Sequence, residues 1–149
     1  MKIFILTFIF FILFFQLKAQ VTGPLSNYKG KLFSLDSCYQ VACNSDISES
    51  VFTSKEEISL FLSANKKMTD DLKLYIISNN FKFETHTKCI FRIYYNKNGG
   101  VDYLIYNFID STHLDKNTFK ILLDAFVSEY RIDISSQVNF RHMVLVKFE

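Results

Sequence analysis

The chain has 149 residues and a net charge of +2, and 49% of its residues are hydrophobic, among them 17 Phe and eight Tyr. This length allows one domain with short appendages, and the composition is sufficient for a packed core. The small net charge, with no basic run longer than Lys66-Lys67, argues against a nucleic-acid partner.

The first 20 residues have the pattern of a secretory signal. A positive start at Lys2 is followed by an apolar run from Ile3 to Phe15, and a polar stretch containing the small residue Ala19 comes next. The apolar run is shorter than the roughly 20 residues that span a bilayer as a helix. We therefore expect residues 1–19 to be removed after Ala19 and the protein to be periplasmic or secreted. The alternative is a retained N-terminal membrane anchor.

Residues 20–50 are expected to form an irregular N-terminal arm, because they contain the only Pro, two of the four Gly and many Ser, Asn and Asp residues. We expect one short strand near Lys31–Leu35. Cys38 and Cys43 lie in this polar segment, and in an oxidising compartment they could close a small disulfide loop. The alternative is two free thiols. Cys89, in contrast, lies in a predicted strand and is expected to be a buried small hydrophobic residue.

The domain proper, residues 51–149, is predicted to begin with two helices. Ser54 and Glu57 have the spacing of a capping box, which starts the first helix. That helix is predicted to end near Asn65, and a second helix is predicted to start at Thr69 and to stop at Asn79-Asn80.

The strongest structural signal is a β-hairpin. Cys89–Tyr95 and Val101–Ile109 are rich in β-branched and aromatic residues and contain no Pro. Between them, Asn96–Gly100 contains an Asn-Gly pair, which is typical of a two-residue hairpin turn.

A helix is predicted from Leu114 to Tyr130, with Asp115 as its N-cap. Its apolar residues recur at helical spacing: Phe119, Leu122, Leu123, Phe126 and Tyr130.

The chain closes with a strand of strict period-two alternation. One face is expected to meet the core and carries Val138, Phe140, His142, Val144, Val146 and Phe148. The other is expected to face mostly outward and carries Asn139, Arg141, Met143, Leu145, Lys147 and Glu149. The helix before it returns the chain, so this strand can pair antiparallel with the first strand of the hairpin. We therefore predict an α+β fold with a small three-stranded antiparallel sheet, strand order second, first, third, and helices on one face. The last strand would then be an open edge.

Catalytic signals are weak. The sequence contains no nucleophile, phosphate-binding or zinc-protease motif, and we expect no enzyme activity, cofactor or metal. One alternative is a secreted ligand-binding protein or enzyme that uses the aromatic-rich sheet, which would require polar groups such as His86, Asp102 and Glu129 to meet in a cleft. A weaker alternative is a structural envelope protein that makes contacts through its N-terminal arm and the Cys38–Cys43 loop.

The element order resembles the C-terminal domain of the TonB energy-transducer family over residues 69–149. The resemblance is carried by Leu72–Phe83, by Phe91–Val101 with its Asn-Gly turn, by the helix from Leu114 and by the closing run Val144–Phe148.

This resemblance implies a module that binds a partner peptide by strand addition to its open edge. The partner would be an envelope protein or peptide, with an outer-membrane transporter as one candidate, and a homodimer through the last strand is a further option. The predicted partner-binding residues are Phe140, Arg141, His142, Met143, Val144, Leu145 and Val146.

Overall fold

The structure is a computed structural model that describes residues 21–83, 86–109 and 114–148. In this part of the chain five strands form one mixed sheet. They are β1 (Val21–Pro24), β2 (Gln40–Val41), β3 (Thr87–Tyr95), β4 (Val101–Ile109) and β5 (Phe140–Phe148). Three α-helices accompany them: α1 (Leu32–Cys38), α2 (Lys55–Ser78) and α3 (Lys116–Glu129).

The strand order is β1-β4-β3-β5-β2. β3 pairs antiparallel with β4 on one side and with β5 on the other, whereas β1 and β2 run parallel to β4 and β5. The α+β class and the central order of three antiparallel strands agree with the sequence prediction. The predicted sheet is nevertheless too small, because β1 and β2 extend it at both sides.

The N-terminal segment is more regular than its composition indicates. Residues 21–50, predicted to be an irregular arm, supply both additional strands and α1. The short strand predicted near Lys31–Leu35 is wrong, because the chain is helical from Leu32 to Cys38. β1 and β2 are very short, and their backbone partners lie far away in the sequence, so local patterns do not reveal them.

α2 is one continuous helix, contrary to the predicted break between Asn65 and Thr69. Its capping box is present as predicted, with the Ser54 side chain and the Glu57 side chain bonding each other's backbone amides. No Gly or Pro interrupts the middle of the helix. Two ion pairs cross the expected break, from Lys66 to Asp70 (2.5 Å) and from Lys67 to Asp71 (2.6 Å). The buried face of α2 also continues through the expected break. It comprises Phe61, Asn65, Met68, Thr69, Leu72 and Ile76.

The hairpin of β3 and β4 is confirmed, but the connection is a five-residue loop, Asn96–Gly100, rather than a two-residue turn. The Gly99 amide donates to the Asn96 carbonyl (2.9 Å), and the Asn96 side chain accepts hydrogen bonds from the amides of Asn98 and Gly100. Gly99 has φ +80°, so the loop is a turn followed by a left-handed glycine.

The main core lies between the sheet and the pair α2 and α3. α3 begins as predicted, with the Asp115 carboxylate accepting from the amides of Asn117 and Thr118. The strands contribute the residues that face these helices, among them Cys89, Phe91, Ile93, Leu104, Tyr106, Phe140, Val146 and Phe148.

A second, smaller apolar cluster lies on the opposite face of the sheet. Tyr94 and Ile105 are buried there beside Tyr39, and Leu32 and Leu35 of α1 pack against them. α1 therefore covers part of the face that the sequence analysis left open to solvent.

Candidate functional site: the open side of β5

In the described part of the chain, another strand pairs with the outer side of β5 only at its start. β2 pairs with β5 at Gln40↔Phe140 and Val41↔Arg141, and from His142 to Phe148 no strand of the described ranges pairs with that side. β5 is thus not the outermost strand, which corrects the sequence prediction. Most of its length nevertheless has an open side.

The hydrogen bonds to β2 show which backbone groups face outward. The carbonyl of Asn139 accepts from the Gln40 amide (3.1 Å), and the carbonyl of Arg141 accepts from the Ala42 amide (2.9 Å). Backbone groups of a strand point alternately to its two sides. The N–H and C=O groups of Met143, Leu145 and Lys147 therefore face the open side, where an added strand could pair with them.

The side chains along this open segment are unusually apolar for a sheet edge. Met143 is 59% exposed and Leu145 is 50% exposed. They lie on the sheet face opposite α2 and α3, and Leu145 is next to Ile90 of β3. Natural edge strands usually carry charges or are covered. An exposed apolar pair on an open strand is therefore typical of a surface that binds another polypeptide.

Basic side chains border this apolar pair. Lys88 of β3 lies opposite Lys147 of β5, and both are exposed. Like charges at opposite positions disfavour each other, and an acidic group of a bound segment would relieve that repulsion.

The other predicted partner-binding residues have different roles. Phe140 and Val146 are 0% and 3% exposed, so their side chains belong to the core. Val144 is half-buried. His142 is also half-buried and contacts the ring of Phe61 edge-on, with 4.9 Å between ring centroids. Among the seven predicted residues, therefore, Met143 and Leu145 have the side chains that are most available to a partner.

The side chain of Arg141 is partly buried and is fixed by contacts within the protein. Its Nε donates to the carbonyl of Tyr39 (3.1 Å) and lies 3.5 Å from the carboxylate of Asp36 on α1. The same carboxylate accepts hydrogen bonds from Arg92 (3.0 Å) and from the hydroxyl of Tyr94 (2.9 Å). Burial and this bond to Asp36 raise the pKa of Tyr94 to about 12.

Asp36 is a residue that the sequence analysis missed. Two arginines on neighbouring strands, Arg92 and Arg141, require a counter-charge when they are partly buried. Arg92 faces Met143 across the β3–β5 pair, so this cluster lies directly beside the exposed part of β5. α1 thereby marks one end of the open apolar surface.

A catalytic cluster of His86, Asp102 and Glu129 is not formed. His86 precedes β3, whereas Asp102 lies at the other end of the hairpin, roughly 25 Å away at about 3.3 Å per strand residue. Asp102 instead accepts from Tyr39 (2.9 Å) and Asn96 (3.0 Å). Burial, together with the hydrogen bond to Asp102, raises the pKa of Tyr39 above its ordinary value.

Three of the four tyrosines of β3 and β4 have buried side chains, and the fourth, Tyr103, is half-buried. Tyr94, Tyr95 and Tyr106 are buried, and the hydroxyl of Tyr95 bonds to the Asn65 side chain (3.1 Å) inside the core.

The described residues line open cavities at the surface, of which two are considered as possible ligand sites. One, of about 390 Å³, is lined by Gln40, Ser50, Val51, Phe52, Glu57, Ser135, Ser136, Gln137 and Val138. The other, of about 350 Å³, is lined by Tyr75, Ala125, Phe126, Ser128, Glu129 and Tyr130. The carboxylate of Glu57 is already bonded to the amides at the start of α2, so it is not available as a catalytic group. Within the described ranges, no three or more His, Cys, Asp or Glu side chains are grouped so that they could bind a metal.

Of the two alternatives for Cys38 and Cys43, a disulfide or two free thiols, the structure has the free thiols. Cys38, Cys43 and Cys89 are free thiols. Cys38 is exposed at the end of α1, whereas Cys43 is half-buried against the main core, and burial raises its pKa. Cys89 is buried in β3, as predicted.

Comparisons with protein-family models, with curated proteins and with solved structures each found no match to this chain. The proposed signal, residues 1–19, lies outside the described residues. Among the helices that the structure describes, none has the length and hydropathy required to cross a bilayer.

Proposed function

We propose that this protein is an exported protein-binding module, similar to the C-terminal domain of the TonB family, that binds an extended peptide by strand addition to β5. The observation that carries this proposal is the open side of β5 from His142 to Phe148, where outward backbone groups coincide with two exposed apolar side chains. Strand addition uses both features, because main-chain hydrogen bonds supply affinity and alternate side chains supply selectivity.

The geometry also indicates the chemistry of the peptide. Its backbone would pair with Met143, Leu145 and Lys147, and its apolar side chains would cover Met143 and Leu145. An acidic residue near Lys88 and Lys147 would add favourable electrostatics. Peptides with apolar residues at alternate positions and an acidic residue at one end are therefore the expected ligands. An envelope protein, including an outer-membrane transporter, is the proposed source, and a second copy of the chain would compete for the same strand.

Retention of envelope proteins tests the proposal. The chain beginning at Gln20 is immobilised, exposed to an envelope extract from the source cells, and its retained proteins are identified by mass spectrometry. The double variant Met143→Lys/Leu145→Lys should retain at least tenfold less of any specific partner, because the added charges cannot be covered by an apolar peptide.

Matched controls come from exposed apolar residues elsewhere. Leu74 on α2 and Ile121 on α3 are 67% and 66% exposed, and Leu74→Lys/Ile121→Lys should retain the partner as the unmodified chain does. Equal retention by the β5 variant and the control variant would contradict docking at β5. Sedimentation of each variant shows whether self-association uses the same strand.

Export is a separate part of the proposal, supported by the pattern of residues 1–20. Expression of the full chain in a bacterium, followed by mass spectrometry of its N-terminus, should give a protein that starts at Gln20. Retention of Met1 together with membrane association would instead indicate an anchor.

A further inference from the structure

β2 is the only strand that covers the outer side of β5 in the described part of the chain, and it lies between two cysteines. Cys38 ends α1 and Cys43 follows Ala42, whose amide bonds to the carbonyl of Arg141. Cys43 packs against the main core, whereas Cys38 is exposed at the end of α1, whose Leu32 and Leu35 pack on the opposite face of the sheet. The segment that connects them is the segment that pairs with β5.

This pairing is incompatible with a Cys38–Cys43 disulfide. Tyr39 has extended dihedrals (φ −131°, ψ 115°), and Gln40–Val41 is strand. At about 3.3 Å per residue, the Cα atoms of Cys38 and Ala42 are roughly 13 Å apart. One further Cα–Cα step of 3.8 Å can bring Cys43 no closer than about 9 Å, whereas a disulfide requires Cα atoms within about 7 Å.

We propose that Cys38 and Cys43 form a redox-sensitive latch, in which the dithiol state keeps β2 on β5 and the disulfide state releases it. The oxidant is a disulfide of the glutathione type. The thiolate of Cys38, which is exposed, attacks one sulfur of that disulfide and expels one thiolate. The thiolate of Cys43 then attacks the Cys38 sulfur of the mixed disulfide and expels the second thiolate. The two cysteines lose two electrons and two protons, and the oxidant becomes two thiols.

Release of β2 changes the binding edge, and this consequence rests on the proposed function. The outward carbonyls of Asn139 and Arg141, now bonded to the amides of Gln40 and Ala42, would become available. The open side of β5 would then extend from Asn139 to Phe148. In the dithiol state a peptide can pair only beyond Arg141.

The test does not need the binding partner. The chain from Gln20 is equilibrated with mixtures of glutathione and glutathione disulfide, the disulfide is located by mass spectrometry, and amide hydrogen exchange is measured in each state. We expect a Cys38–Cys43 disulfide whose formation makes the Gln40 and Ala42 amides exchange at least tenfold faster. Amides in the middle of β3, such as that of Ile93, should be unchanged, and dithiothreitol should restore protection.

Two variants complete the test. Cys38→Ser should keep the slow exchange of Gln40 and Ala42 at every glutathione ratio. Val41→Gly weakens the strand without changing either thiol, and it should lower the ratio of glutathione disulfide to glutathione needed for closure by about threefold. A disulfide with full protection of Gln40 and Ala42, or no such disulfide at any ratio, would overturn the latch while leaving the docking proposal intact.

Discussion

The hydroxyl of Tyr94 on β3 donates a hydrogen bond to the carboxylate of Asp36 on α1, 2.9 Å away. Arg92 and Arg141, from two adjacent strands, converge on the same carboxylate at 3.0 and 3.5 Å. All three charged side chains are about a quarter exposed. One acid thus ties the N-terminal helix to two strands of the central sheet.

Removal of this acid should loosen α1. Asp36→Ala removes the counter-charge of two partly buried guanidinium groups and the acceptor of the Arg92 and Tyr94 hydrogen bonds. We expect it to lower the free energy of unfolding by about 2 kcal/mol. Urea denaturation of the chain from Gln20 measures the change. Asp133→Ala alters an exposed acid and serves as the control, with an expected change below about 0.5 kcal/mol. Equal effects of the two variants would show that the cluster does not hold α1.

Gly99 should tolerate no side chain. It has φ +80°, and an added Cβ would lie 2.4 Å from the carbonyl oxygen of Ile132 and 2.7 Å from that of Ile134. Gly99→Ala combines backbone strain with a clash against fixed backbone, so we expect a loss of at least about 3 kcal/mol in the free energy of unfolding.

Gly30 provides a matched control for Gly99. It also has positive φ (+89°), but an added Cβ would meet nothing within 4 Å. Gly30→Ala should therefore cost only the strain, about 1 kcal/mol. Thermal or urea unfolding of both variants separates strain from clash, and similar losses in the two would contradict the packing of Ile132 and Ile134 against the loop.

Local signals in the sequence predicted the elements that local interactions form. The Ser54 capping box, the Asp115 cap and the hairpin all depend on residues within a few positions of one another, and the structure contains each of them. The predicted break near Asn65 was wrong because Asn65 is a buried member of the helix stripe that bonds to Tyr95. In the sequence alone, a polar residue in an apolar stripe indicates the end of a helix, because its hydrogen-bond partner on a distant strand cannot be recognised.

The candidate site was only partly predictable for a related reason. Alternation in β5 correctly placed Met143 and Leu145 on the outward face and Phe140 and Val146 in the core. β2 pairs with β5 through only two residues, and the two segments are about 100 positions apart in the chain. No local sequence pattern specifies this pairing. The role of Arg141 likewise depends on remote groups on α1 and at Tyr39.

His142 should make stability depend on pH. Burial lowers its pKa below the ordinary 6.5, so the folded state favours the neutral ring and the unfolded state binds more protons at mildly acidic pH. The free energy of unfolding should therefore be constant well above pH 6.5 and should fall as the pH drops through 6.5 toward the lower folded-state pKa. Urea titrations at several pH values measure this slope.

Substitution isolates the contribution of this histidine. His142→Gln should flatten the dependence between about pH 5.5 and 7. Acidic groups with lowered pKa values, such as Asp115 and Asp71, act at lower pH, and their effect should remain visible in the variant as in the unmodified chain. An unchanged slope in His142→Gln would exclude this histidine as its source.

A proline substitution in β5 tests whether a bound partner uses the backbone hydrogen bonds of this strand. The amide of Leu145 faces the open side, whereas that of Val144 faces β3 in the central ladder. Leu145→Pro removes a donor that only an added strand would use, so it should lose partner retention at a cost of about 1–2 kcal/mol in stability. Val144→Pro breaks a ladder bond and should cost about 3 kcal/mol or more. Leu145→Ala shortens the same side chain but keeps the amide, so a loss of retention in Leu145→Pro that Leu145→Ala does not show would assign the loss to the backbone. If Leu145→Pro folds and retains the partner as the unmodified chain does, then neither the amide nor the side chain of Leu145 is used, which would contradict strand addition at this position.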